Sequence, residues 1–419
     1  MQLTYRFNYY KNLDGLHYLY NASKNLYNQA NYLINQHYKK TKKYLGYQQV
    51  DKQIKTLKNL EGQINYKQLK AQWSQQILRQ LDKNWKSYFK SLKVYKTTPK
   101  KFKGLPKPPK YIHNLYNLII LTNQSAKIKD NKIYLTKNLI IKIPKYKDKQ
   151  FDLFNSIRII PKKTYCVVEI IYTTKEQLHK INNNVASIDL GVNNLATMIS
   201  NKIKNPIIFN GRQIKAKNQW YNKKIAYLKS IRDKMKKKET TKQLDSLNTR
   251  RNNQINDIMH KVSRSIVDKC NQNDIGTLVV GLNKNWKDSI KLGNKTNQTF
   301  VQIPYQSLIN KLVYKCKLNG IKCITNEESY TSKIDHLVNE SMKHQKHYLG
   351  KRIHRGLFKS SSGVIINSDV NGALGIVRKV VDENQFIGLV NSGNWLMPIK
   401  IRDLYNIQKQ CQPLNKIKC

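Results

Sequence analysis

The sequence predicts a two-part α/β protein: a small β-barrel or sheet carrying a helical insertion, followed by an α/β domain of RNase H-like order. Three observations lead there. Strand-like and helical patterns segregate at about residue 180, the second part reads β-β-β-α-β-α-β-α, and 39% apolar residues, 26 Tyr among the 419 residues, suffice for two cores.

The first part, residues 1–180, opens on Leu3, Tyr5 and Phe7, which alternate as in a half-buried strand. An insertion over about 12–95 then takes on helical spacing. Leu16, Leu19, Tyr20, Leu26, Tyr27, Ala30, Leu33 and Ile34 recur at three- and four-residue steps, as do Leu69, Trp73, Ile77, Leu81, Trp85, Phe89 and Leu92. Lys and Gln fill the outer faces. The stretch KTTPKKFKGLPKPPKY (96–111), with four prolines, ends the helix, and short β-like runs follow at 118–122, 126–129, 132–135, 139–143, 157–160 and 165–173.

The second part, residues 185–382, starts with ASIDLGV, LATMIS and NPIIFNGR, three short strands in close succession. A basic helical region covers about 213–272. Then come a strand at 276–282, a helix at about 303–319, a strand at 321–328, a basic loop-rich insertion at 330–366 and a helix at about 369–381. Other α/β folds share such an order, so it fixes a class and not a function. Residues 383–419 show no period and read as a C-terminal tail.

Charge narrows the partners. With 77 Lys and Arg against 25 Asp and Glu, the chain carries +52, and such a surface calls for a polyanion. Apolar runs are strand-sized, far short of the roughly 18 residues of a membrane span, so a membrane partner is excluded and a cytoplasmic, nucleoid-associated protein is expected. The six Cys contain no CxxC pair, which fits a reducing compartment. Phosphate contacts are expected from the densest basic runs: Lys100, Lys101, Lys103, Lys107 and Lys110, then Arg250 and Arg251, then Lys351, Arg352 and Arg355.

In a chain so poor in acids, carboxylates at strand ends stand out. Asp189 lies inside the apolar strand ASIDLGV, where an uncompensated charge costs several kcal/mol. Glu327 and Glu328 end the strand ITNEE and must face opposite sides of their sheet. Asp369 opens a helix, where it could equally serve as an N-terminal residue offsetting the helix dipole. Two Asp and a Glu at one sheet edge are what two Mg²⁺ ions, or Mn²⁺ in their place, take as hard oxygen ligands. The metal set therefore reads Asp189, Glu327 and Asp369, with Glu328 as the alternative glutamate.

DLGVNNLAT around Asp189, YTSK at 330–333 and NSDVNGALGI around Asp369 resemble the three-part RuvC signature of the OrfB/TnpB proteins of insertion sequences, relatives of the type V CRISPR effectors. The resemblance covers most of the chain. It implies a wedge and recognition region over 1–180, a RuvC-like nuclease domain over 185–382 with a helical insertion at 213–272, and an RNA-guided DNA endonuclease. Its partners would be a guide RNA and a double-stranded DNA target.

Two departures from that pattern matter. Gly281 stands where most members carry the middle catalytic Glu, whereas EESYTSK resembles a subset that has moved this Glu to the next strand, as do NKNWK (283–287), TNQTFVQIPY (296–305) and LGKR (349–352). Secondly, many relatives hold a four-Cys zinc ribbon in the last insertion, but 330–366 contains no Cys, and Ile334 stands near the place of the first. His336, His344, His347 and His354 fall there with spacings that match no zinc module, so no zinc is expected and the histidines are read as solvated or phosphate-facing. The rival reading is a guide-RNA-dependent DNA-binding protein without nuclease activity.

Overall fold

The computed structural model describes residues 1–407 apart from 12, 114–115, 137, 145–150, 152, 163, 237–239, 283–293, 329–330, 355 and 382–393; at 294–296, 299 and 394 it describes the backbone alone. The chain forms two compact units, Met1–Thr174 and Lys175–Cys419.

The first unit comprises β1 (Gln2–Tyr9), α1 (Leu13–Thr41), α2 (Tyr47–Ile54), α3 (Ala71–Thr97), β2 (Ile119–Thr122), β3 (Lys127–Lys129), β4 (Lys132–Tyr134), β5 (Ile140–Lys142), β6 (Phe154–Pro161) and β7 (Cys166–Thr173). Its strands make two antiparallel sheets, of order β1-β7-β6-β2 and β3-β4-β5, with β1 and β2 at opposite edges of the first. The apolar stripes of α1 and α3 meet in one core, where Leu16, Leu26, Leu81 and Trp85 are buried. Asn31 joins them through its side chain, accepting from Trp85 Nε1 at 2.9 Å and donating to Pro109 O at 3.0 Å. That second bond pins the proline-rich stretch by its backbone, leaving Lys100, Lys101, Lys103, Lys107 and Lys110 exposed.

The second unit comprises β8 (Val185–Leu190), β9 (Asn194–Ser200), β10 (Ile207–Asn210), α4 (Arg212–Lys234), α5 (Lys242–Gln272), β11 (Thr277–Gly281), α6 (Asn294–Val301), α7 (Tyr305–Lys317), β12 (Lys322–Asn326), β13 (Lys351–His354), β14 (Leu357–Lys359), β15 (Ile365–Asn367), α8 (Ser368–Arg378) and β16 (Ile399–Ile401). Its main sheet has the order β12-β11-β8-β9-β10-β16. β8, β9 and β10 form an antiparallel meander, and β11 runs parallel to both β8 and β12.

Each face of this sheet has its own core. Ala186, Ile188, Leu278 and Val280 pack with Ile258, Val262, Leu308 and Leu312 of α5 and α7. Val185, Ile199 and Val279 pack with Val370, Ala373, Leu374, Ile376 and Val377 of α8 and with Trp395. Because side chains alternate along a strand, Ser187 and Asp189 fall on the α8 face with Val185.

Two regions depart from expectation. Residues 330–366 are not simply loop-rich: β13, β14 and β15 form a three-stranded antiparallel sheet that leads straight into α8. And the segment expected as a tail continues the domain, since β16 pairs parallel with β10 at the sheet edge and Trp395 is buried in the α8 core. Three paired residues are too short a run to show a period.

Candidate active site

Asp189 and Glu328 come near one another at the ends of the parallel strands because the strand register places them there, and Asp369 of α8 adds a third charge that acts on Asp189. β11 pairs with β8 up to Val280↔Ile188, so Gly281 and Asp189 are next in line, while on its other side Gly281 pairs with Asn326. Paired residues of a parallel ladder share a face, and two residues beyond Asn326 the chain returns to that face at Glu328. Glu328 is accordingly half-buried, and Glu327 is exposed. Thr331 closes the turn, its N and Oγ1 donating to Glu328 O at 3.2 and 2.9 Å.

Glu328 occupies the volume beside Gly281. A Cβ built on Gly281 would lie 2.8 Å from Glu328 Cγ and 2.5 Å from Ile376 Cδ1, and nearer still to Glu328 Oε1. Gly372 does the same service for Asp189. A Cβ there would lie 2.8 Å from Asp189 Oδ2, so only a glycine lets α8 come this close to the strand. Ser187 Oγ donates to Ala373 O at 2.7 Å and locks this contact.

Asp369 is the second residue of α8. Asn367 is the N-cap, its Oδ1 accepting from Asp369 N at 2.9 Å, so the carboxylate of Asp369 is not consumed by capping. Instead its Oδ2 accepts from Asn194 Nδ2 of β9 at 2.6 Å. Asn194, the second Asn of DLGVNN, fixes that carboxylate, a role that reading the sequence did not assign.

The charges act on one another. Burial, then the Glu328 and Asp369 carboxylates, push the Asp189 carboxyl well above the usual carboxylate range, while Arg352 draws it down. Burial raises Glu328 to about 7 against the pull of Lys379. Tyr305 lies beneath them: its hydroxyl donates to Gly191 O at 3.0 Å, and burial and the two acids raise its pKa. Among the described residues no three His, Cys, Asp or Glu side chains stand at metal-ligating distance of one point, so the three acids repel across the site without converging. The donor set nevertheless fits a hard divalent cation. All its ligands are carboxylate oxygens, and a cation would relieve the repulsion that raises the proton affinity of Asp189.

The remaining residues singled out by sequence divide. Arg250 and Lys351 are exposed, and Arg352 is exposed with its Nε 3.3 Å from Ser368 Oγ. Arg251 is turned inward: its guanidinium donates to Asn218 Oδ1 at 2.8 and 3.0 Å and to Gln302 O at 2.9 Å, so it ties α4 and α5 to the segment before α7. Arg355, Tyr330 of YTSK and all of 283–287 lie outside the described residues.

His344, His347 and His354 are exposed, but His336 is not solvated as expected. It is buried, its Nε2 donating to Thr331 O at 2.9 Å and its Nδ1 accepting from Arg378 Nη1 at 2.8 Å. A carbonyl only accepts and a guanidinium only donates, so this pair selects the neutral imidazole. Burial, with Arg378, lowers its pKa to about 4.

The insertion is held by buried acids. Asp335 accepts from Ser360 Oγ and Ser361 N, both at 2.7 Å, and thereby joins the two ends of the insertion. Glu340 accepts from Asp335 N at 2.6 Å and Leu349 N at 2.8 Å. Ile334, near the place where relatives have a first Cys, is fully buried.

Residues 168–287 match the family model OrfB_IS605, probable transposase, and residues 305–376 match the Cas12f1-like TNB domain. No curated protein matches the chain. Among solved structures, the Cas12f1-sgRNA-target DNA complex is 15% identical over 87% of this chain and 82% of that one, with a TM-score of 0.54. The mini-RNA-guided endonuclease CRISPR-Cas phi3 is 10% identical over 90% and 92%, with a TM-score of 0.49. The first of these shares its mixed α/β fold with this chain. No described helix is long and apolar enough to cross a membrane. Along its length the chain is thus similar first to a probable-transposase segment of the OrfB type and then to a Cas12f1-like TNB segment.

Proposed function

We propose that the protein is an RNA-guided, divalent-metal-dependent DNA endonuclease whose site carboxylates are Asp189, Glu328 and Asp369. The observation that carries this reading is the position of Glu328. Its carboxylate lies against Gly281, in line with Asp189, which supports a replacement of the acid missing from β11 by one that follows β12. Burial pushes Glu328 up to about 7 beside a second raised acid, and paired raised carboxyls of this kind mark functional sites.

In this mechanism the three carboxylates would hold Mg²⁺, which supplies charge stabilisation of a phosphodiester and a nucleophilic water at neutral pH. The chain's own groups set the stage. Asn194 holds the Asp369 carboxylate in one orientation, and Gly372 admits α8 to the strand edge so that Asp369 and Asp189 face the same space. Arg352, exposed and close enough to lower the Asp189 pKa, would meet a backbone phosphate entering the site. The guide RNA and target DNA are taken from the relatives, and the exposed Lys100, Lys101, Lys103, Lys107 and Lys110 are the phosphate contacts assigned to this chain.

The test is guided cleavage in Mg²⁺ by the ribonucleoprotein purified with its own RNA, compared with Asp189→Ala. Loss of scission with retained target binding supports the reading. Scission by Asp189→Ala at the wild-type rate overturns it, and binding without scission by the wild type selects the nuclease-free rival.

A further inference from the structure

α4 and α5 form an antiparallel pair whose outer end leaves a groove of about 500 Å³. Its apolar floor is made by Leu228 and Leu247, the latter 9% exposed. Trp220 forms one wall and remains 51% exposed, with Lys217 Nζ 6.0 Å from its ring centre. Lys224, Lys242 and Arg250 complete the rim, all exposed, and no described lining residue is acidic. None of these groups belongs to the carboxylate site or to the inward network of Arg251.

Three requirements follow for an occupant. It must present a flat face to the indole, it must carry negative charge at more than one point, and it must fit a cleft in the ~300–1,000 Å³ range of small-ligand sites. Bases in a duplex have their faces covered by neighbouring pairs. An acidic peptide would meet the cations but offers the ring no planar partner of matching size. An unpaired nucleotide meets all three demands, with its base on the indole and its flanking phosphates on the cations.

We propose that the α4–α5 groove binds an unpaired stretch of single-stranded nucleic acid, one base stacking on Trp220 and the adjoining phosphates contacting Lys224, Lys242 and Arg250. This deepens the nucleic-acid reading of the protein and rests on that part of it alone. Cleavage plays no part in it, so a dead nuclease would leave it standing.

The experiment measures equilibrium binding of labelled oligoadenylates of roughly 12 nucleotides, deoxy and ribo, to the full chain in EDTA. Elevated salt suppresses diffuse phosphate binding. A blunt duplex of the same length serves as the control. Trp220→Ala should weaken single-strand binding about tenfold, the usual worth of one stacked base, while Trp220→Phe stays within about threefold and the duplex affinity is unchanged. Tryptophan emission should be quenched by oligoadenylate in the wild type and measurably less in Trp220→Phe. Loss with both sugars, or with one of them, supports the proposal and in the second case names the strand held. Wild-type affinity of Trp220→Ala for both oligoadenylates overturns it, as does an equal loss on the duplex. Displacement of the oligonucleotide by polyglutamate as readily as by unlabelled oligoadenylate overturns it in favour of an acidic protein partner.

Discussion

The side chain of Glu328 lies where a side chain on Gly281 would have to go, with its Cγ 2.8 Å from the position of a Gly281 Cβ. One space cannot hold both, so in this chain a side chain at Gly281 and the present placement of Glu328 exclude one another. Gly281→Ala should therefore push Glu328 and Ile376 aside, destabilise the second unit by about 1–3 kcal/mol and depress guided cleavage. Glu328→Ala alone should cost roughly a hundredfold or more in rate, about 3 kcal/mol. Adding Gly281→Glu to Glu328→Ala should recover part of that loss, although Gly281→Glu in the wild type should be harmful. A double-mutant cycle measures this coupling. Additive effects would mean the two positions do not share a space in the working protein.

Adjacent glutamates allow a sharper comparison. Glu328 shares the Asp189 face, whereas Glu327 is exposed and its backbone carbonyl accepts from Lys379 Nζ at 2.8 Å. Glu328→Gln keeps size and removes charge, and should abolish scission while leaving target binding intact. Glu327→Gln should stay within about threefold of wild type, as exposed surface changes usually do. Rates of the two variants on one guided substrate settle the matter, and an inactive Glu327→Gln with an active Glu328→Gln would invert the assignment.

How far the sequence revealed this arrangement differs from residue to residue. Asp189 was legible because a carboxylate in an apolar strand is costly, and alternation then puts it on one definite face. The choice between Glu327 and Glu328 was not, since it depends on the pairing Gly281↔Asn326, and register between distant strands leaves no local mark. Asn194 reads as a turn residue until β9 brings it 2.6 Å from Asp369, 175 positions away. His336 resembles its three exposed neighbours in sequence, and only packing against α8 separates it. Arg251 illustrates the converse: a basic run on a helix points in several directions, and this member of it points inward.

Asn194 should act as a positioning residue. Its amide fixes one oxygen of Asp369, so Asn194→Ala frees that carboxylate to rotate without removing it. Loss of such outer contacts typically costs ten- to a hundredfold in metal affinity. The Mg²⁺ concentration for half-maximal cleavage should therefore rise about tenfold, with the rate at saturating Mg²⁺ recovering towards wild type. A fall in the saturated rate with no shift in the Mg²⁺ midpoint would show that Asn194 does something other than hold Asp369.

The insertion between β12 and α8 should keep its shape without metal. Asp335 ties its two ends through Ser360 and Ser361, and residues 330–366 contain no Cys. Prolonged chelation by EDTA should leave the protease resistance of this segment unchanged. Asp335→Ala strands the buried Ser360 hydroxyl, a cost of about 1–3 kcal/mol, and releases the exposed Ser361 amide to solvent, and should make the segment cleavable. Collapse of the segment in EDTA would point to a bound metal in place of this hydrogen-bonded tie.

His336 gives the folded second unit a defined sensitivity to acid. Its pKa is lowered to about 4 by burial and by Arg378, against an unfolded value of 6.5; Thr331 O and Asp335 favour the charged form, and Lys379 opposes it. Above the unfolded value the imidazole is neutral in both states and stability is undiminished. As pH falls from there towards 4, the unfolded chain takes up a proton that the folded one refuses, so stability is lost with falling pH. By about pH 5 the loss is roughly 2 kcal/mol, at about 1.4 kcal/mol per pKa unit. His336→Gln can keep a donor towards Thr331 O and an acceptor for Arg378 but cannot titrate. Urea midpoints at about pH 7.5 and 5 should therefore fall further for the wild type than for the variant, and the difference between the two proteins cancels every other titrating group. Equal slopes would show that His336 carries its proton inside the fold, which the bond from Arg378 to its Nδ1 forbids.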